Sequence, residues 1–183
     1  MILPIVLFGD PILRTVGAKV GAVTDEVKRF AADMLDTMKD ADGVGLAAQQ
    51  VGVALQLAVV DIREVEDRPS RMWVNGEEVN PSGFMPMVLL NPELTFGKDR
   101  DVGVEGCLSF PKMNADIPRF TRLHCKAVTL DGQTLDFEAE GFLARAIQHE
   151  VDHLNGVLFI DRMSSAAKAS LAGKLKRLMR KTN

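Results

Sequence analysis

The chain has 183 residues, 46% of them hydrophobic and 26% charged, with a formal net charge of −3. That is the size and make-up of one globular domain with a real core, and so small a charge excludes a whole-chain field for nucleic acid or acidic substrates. No apolar run is long enough to span a bilayer, and two cysteines, Cys107 and Cys125, suit thiol or metal chemistry better than a disulfide framework.

The start, Met1 to Phe8, is apolar but short, and Gly9-Asp10-Pro11 cuts it off. It has neither a basic leader nor a small-residue cleavage site, so it is expected to pack on the domain and not to act as a signal peptide. Without an Arg- and Ser-rich leader, a cytoplasmic location is expected. Thr24 reads as an N-cap, and Asp25 and Glu26 suit the positive end of a helix. Val27, Phe30, Ala31, Met34 and Met38 then recur at helical spacing and predict a helix to about Lys39. After Gly43 to Gln50 comes an apolar stretch, Leu55 to Ile62, that reads as a strand. Residues 63 to 86 are polar and rich in turn formers, with Asn75-Gly76 marking a small hairpin. This segment reads as an excursion from the domain. Met87 to Leu90 is a buried strand candidate, and Leu123 to Leu130 and Thr134 to Ala139 flank the hairpin signal Asp131-Gly132. Two further helices are predicted at 141–154 and 164–181. Strands followed by late helices, without regular alternation, predict an α+β fold in a single domain spanning 1–183, with antiparallel strands around a central metal-binding helix and a C-terminal helix.

The helix at 141–154 carries the chemistry. Leu143, Ile147, Val151 and Leu154 form one stripe on it, and Arg145, Gln148 and Asp152 cluster on the far side. His149 and His153 lie one turn apart on one flank, and Glu150 sits between them and the stripe. In His-Glu-x-x-His the two imidazoles bind a divalent metal and the Glu moves a proton. A catalytic metal needs a third protein ligand and an open position for water. No histidine follows His153, Asp161 follows too closely to fold back, and the remaining chain is basic. The third ligand is therefore expected upstream. Cys107, beside Gly106, is the best candidate, since a thiolate with two imidazoles suits Zn²⁺ or Fe²⁺. Cys125 sits at strand spacing among Leu123, Ala127 and Val128 and reads as a small buried hydrophobe. His124 reads as structural or solvent-facing.

Three segments, in order, resemble the peptide deformylase family. They are Gly43-Val44-Gly45-Leu46-Ala47-Ala48-Gln49-Gln50, Glu105-Gly106-Cys107-Leu108-Ser109 and Gln148-His149-Glu150-Val151-Asp152-His153-Leu154. The resemblance extends from Asp10-Pro11-Ile12-Leu13-Arg14 to Phe159-Ile160-Asp161. It implies a hydrolase that removes the formyl group from the N-terminal formylmethionine of nascent chains. Cys107, His149 and His153 would hold one metal, Fe²⁺ first and Zn²⁺ as the alternative. Glu150 would be the general base, and the Gln50 side-chain amide and the Leu108 backbone N–H would meet the oxyanion. The substrate would lie like an added strand along Gly43 to Gly45, with main-chain bonds to Gly45. Val44, Phe142 and Ala146 are candidates for the methionine pocket, and Glu105 and Asp152 for orienting the ligands or a nearby Arg such as Arg119. Two departures stand out: the 63–86 segment is longer than in many members, and Asn114 stands where many carry an Arg that grips the peptide. That puts peptide affinity in question, not the chemistry.

The last helix has a stripe of Ala167, Leu171, Leu175 and Leu178 and a basic end, Lys174, Lys176, Arg177, Arg180 and Lys181. Cations favour a helix C-terminus, and contact with ribosomal RNA is the functional alternative. The expected partners are N-formylmethionyl peptides, with the ribosome as a second partner through this helix and with neither membrane nor DNA. The rival functions are a His-Glu-x-x-His metalloprotease, a module with a structural metal, and a formyl-peptide binder with slow turnover.

Overall fold

A computed structural model of the protein describes residues 1–182. Helix α1 (Asp25–Asp40) begins where Thr24 caps it, the Thr24 hydroxyl accepting from the Val27 N–H. Such a cap contributes on the order of 1 kcal/mol. Its stripe of Ala31, Met34 and Met38 is fully buried, packed on Leu46, Leu57 and Val59. These belong to strands β1 (Gly45–Ala47) and β2 (Leu57–Val60).

The 63–86 segment supplies β3 (Ser70–Val74) and β4 (Glu77–Val79). They turn at Asn75 and Gly76, both at positive φ (51° and 80°), as a two-residue hairpin of this kind requires. Strands β5 (Met87–Phe96), β8 (Arg122–Val128) and β9 (Thr134–Gly141) complete an antiparallel sheet in the order β1-β2-β5-β8-β9-β3-β4. β3 pairs with β9, so the segment forms one edge of the main sheet, and Met72 is fully buried there.

Two strands that the sequence pattern does not announce, β6 (Arg100–Cys107) and β7 (Phe110–Phe120), form a separate antiparallel ribbon. Apolar alternation is absent from β6 because its one buried residue is charged, Glu105. Two prolines, Pro111 and Pro118, further hide β7.

Helix α2 (Phe142–Leu154) touches β1, β2, β9 and β3 on one side and β7 on the other. Its apolar stripe faces the main sheet, where Leu143 and Ile147 are fully buried. The polar far side meets the ribbon. The Gln148 amide exchanges two hydrogen bonds with the Phe120 backbone, and Arg145 Nη1 donates to the Ile117 carbonyl. An amphipathic helix is thus buried on nearly every face, with Gln148 and Arg145 on its far side bonded to strand backbone. Helix α3 (Ser165–Thr182) packs Leu171, Leu175 and Leu178 beside Phe110 and Phe159. Phe8 of the N-terminal segment stacks on Phe110, and the Phe8 N–H donates to the Ser109 carbonyl. No helix among the described residues is long and apolar enough to cross a membrane.

Candidate active site and metal centre

Burial of α2 places His149 and His153 under the ribbon, 8% and 1% exposed. Cys107 comes to them at the end of β6, where the register shifts between Gly106 and Cys107 before the chain turns through Leu108 and Ser109. The Cys107 sulfur lies 3.3 Å from His153 Nε2, and the two Nε2 atoms lie 3.2 Å apart. Among the described residues these three form the one His/Cys/Asp/Glu group with donor atoms this close, all within 4.8 Å of one another.

The chemistry of the donors fits a divalent cation. Glu105 Oε1 lies 2.8 Å from His149 Nδ1. An ionised carboxylate only accepts, so the ring N–H is on Nδ1 and the Nε2 lone pair faces the centre. Burial holds His153 well below the usual histidine range, in the neutral form that ligates. Burial also opposes a charge on His149, but the adjoining Cys107 and Glu105 outweigh it and raise its pKa in the bare protein. A cation there would meet the same partners.

Glu105 anchors the surroundings. Burial would raise its pKa, yet Arg119 and His149 bring it down to about 2. Arg119 donates twice to its carboxylate at 2.9 Å and once to Asp152, which also receives Arg162. Arg145 Nη1 donates to Glu105 Oε2 at 2.9 Å. The depressed pKa means that the stability Glu105 gives is complete above its ordinary value of 4.5 and is lost as pH falls through about 2. Glu105→Gln is expected to remove that acid-side slope and to weaken metal binding about 10–100-fold. Competition with a metal chelator checks this, and unchanged affinity would disprove the orienting role.

Glu150 is enclosed, and among the described residues its Oε2 has no hydrogen-bond partner. Burial raises its pKa to about 7, which suits a group that takes and returns a proton near neutral pH. It lies against Gly45: a β-carbon there would overlap the Glu150 side chain, so any larger residue must displace it. Gly45→Ala is expected to displace the carboxylate and lower kcat by about 100-fold, as misplacements near 1 Å do. A kcat within a few-fold of the parent would show that the site tolerates the shift.

Gln50 follows β1 in a 3₁₀ turn. The Ala47 N–H donates to its Oε1, so Nε2 faces the centre, 3.2 Å from Ser109 Oγ and 3.5 Å from the Cys107 sulfur. A cavity of about 390 Å³ opens in front of these groups. Val44, Gly45, Gln50, Cys107, Leu108, Phe142, Ala146, His149 and Glu150 line it, and His153 lies deeper. Residues of β1 and β6 are among its walls. Among the described residues β1 pairs only with β2 and β6 only with β7, which leaves one edge of each without a strand partner. Asn114 also faces the cavity, beside Gly106.

Elsewhere, Cys125 is fully buried in the sheet core and its thiol is pushed up to about 12 by that burial. His124 is on the open face of the sheet beside Asp136. Sequence reasoning missed Ser109 as the partner of Gln50, and also the role of Arg145. No local pattern marks either, because both act through residues distant in sequence.

The sequence model of the family described as polypeptide deformylase matches residues 2–169. A peptide deformylase from Methylacidiphilum infernorum is 44% identical over 180 residues, which cover 98% of this chain and 94% of that relative. Among solved structures, the peptide deformylase from Thermus thermophilus matches with a TM-score of 0.82 at 33% identity over 100% of both chains. The one from Thermotoga maritima matches with a TM-score of 0.75 at 36% identity, over 90% of this chain and 99% of that one.

Proposed function

The chain belongs to the polypeptide deformylase family, and we propose the role of each of its site residues in the family's reaction, the metal-dependent removal of the N-terminal formyl group from nascent polypeptides. The observation that carries the assignment is the convergence of Cys107, His149 and His153 beside an enclosed carboxylate, Glu150, in a cavity walled in part by residues of β1 and β6.

The peptide lies between the β1 and β6 edges and pairs with the backbone near Gly45, as an added strand does. This leaves the methionine side chain to Val44, Phe142 and Ala146. Cys107, His149 and His153 hold the metal, which when bound supplies a Lewis acid and lowers the pKa of water toward neutral. Glu150 accepts a proton from the attacking water. The water oxygen adds to the formyl carbon. Gln50 Nε2 and the Leu108 N–H donate to the oxyanion as it forms, and Gln50 is held beforehand by Ala47 and Ser109. Glu150 then returns its proton to the departing amine as the C–N bond breaks, which leaves formate and a free N-terminus. Glu105, held by two buried arginines, keeps the His149 ring in its ligating tautomer.

Fe²⁺ is the proposed native metal. One thiolate with two imidazoles accepts Fe²⁺ or Zn²⁺. The basic face of α3 is proposed to meet ribosomal RNA, where formylated chains emerge, and a cytoplasmic location is proposed with it.

Formate release from a formyl-Met tripeptide by metal-loaded protein, with the acetyl-Met analogue and an internally cleavable peptide alongside, tests the reading. Formate from the first substrate alone is the expected result. Internal cleavage would instead favour a metalloprotease.

A further inference from the structure

The 63–86 segment contributes one side chain to the cavity wall, Arg68. The chain just after it is anchored. The next residues close the start of α2: the Pro69 carbonyl accepts from the Phe142 N–H at 3.0 Å, and Ser70 Oγ accepts from the Leu143 N–H at 2.9 Å. The Arg68 guanidinium lies over the Phe142 ring, 4.4 Å from its centroid, and Nη1 donates to the Val104 carbonyl at 3.0 Å. Phe142 belongs to α2 and Val104 to β6, two walls of the cavity. Arg68 therefore ties these walls together, as Glu105 does elsewhere through His149 and Arg145. Phe142 and Ala146 line the same cavity as Arg68.

Resting on the deformylase reading above, we infer that Arg68 is a specificity-determining residue that closes the side-chain pocket for the N-terminal residue and fits it to an unbranched chain of methionine's length. The guanidinium plane gives a flat wall, and its N–H edge offers a donor to a thioether sulfur, a weak acceptor. A bulkier side chain must push Arg68 off Phe142 and break its bond to Val104. The segment thus has a task in substrate choice as well as in capping α2.

The test compares kcat/KM for formyl-Met-Ala-Ser and formyl-Phe-Ala-Ser in metal-loaded parent, Arg68→Ala, Arg68→Lys and Arg68→Met proteins. Arg68→Ala is expected to lower the Met-to-Phe preference by about ten-fold or more, within the range of hydrophobic pocket discrimination. Arg68→Met, which keeps a wall but loses the bond to Val104, should fall between Ala and the parent, and Arg68→Lys closer to the parent. A preference that stays within two-fold of the parent in Arg68→Ala overturns the inference. So does an equal loss for both peptides, which marks a structural role only. If the parent releases no formate from either peptide, the deformylase reading itself fails and this inference falls with it. An altered preference in a parent-active series has no such ambiguity.

Discussion

Glu150→Gln is expected to lower kcat for formate release by about 10²–10⁴-fold, the usual worth of a positioned general base, while one metal per chain stays bound. Gln fills the same space beside Gly45, so the fold and the ligand set should persist. What it lacks is a lone pair basic enough to take the proton of water. The sign of the pH effect follows from the same group. Glu150 acts as a base only when ionised, so kcat/KM falls as pH drops through its pKa. Burial brings that pKa to about 7, and a cation at the neighbouring ligands lowers it, so the acid limb of the parent should lie below pH 7 and above the ordinary 4.5. Metal analysis and pH–rate profiles on both proteins check this. If metal is lost together with activity, Glu150 is a structural support of the ligands and not the base.

Cys107→Ala has the second large effect. It removes one of three ligands and should weaken metal binding by more than the roughly 10–100-fold expected for an outer partner such as Glu105. Activity should fall to background at metal concentrations that saturate the parent. Cys125→Ala is the matched control. Cys125 is fully buried in the sheet core with its thiol held protonated, so the change should cost packing alone, on the order of 1 kcal/mol, with metal retained. Metal loss on replacing Cys125 in place of Cys107 would reverse the assignment.

The ligands were legible because a helix imposes its period: His149 and His153 have to share a face wherever α2 packs. Cys107 needed both the lack of a downstream ligand and the resemblance of Glu105 to Ser109 to a family motif. The helices α1 and α3 and the hairpins at Asn75-Gly76 and Asp131-Gly132 follow from local spacing and turn chemistry. The ribbon of β6 and β7 does not, since a strand whose one buried residue is Glu105 carries no apolar alternation. Arg145 sits opposite the apolar stripe of α2, the position of a solvated charge, and is buried only because the ribbon covers that side. Arg68 stands in a polar segment far from Phe142 in sequence, and the two meet only once β3 has joined β9. In each case a contact between distant segments decides the side chain's environment, and a single sequence does not display such contacts.

One metal, held by Cys107, His149 and His153, is proposed to serve a formyl-specific hydrolysis. Anaerobic titration of the metal-free protein with Fe²⁺, following formate release from formyl-Met-Ala-Ser, tests it most directly. No release without metal, a linear rise, and a break at one equivalent per chain are expected. Full activity in metal-free protein, or no formate from protein shown to hold one Fe²⁺, would contradict it.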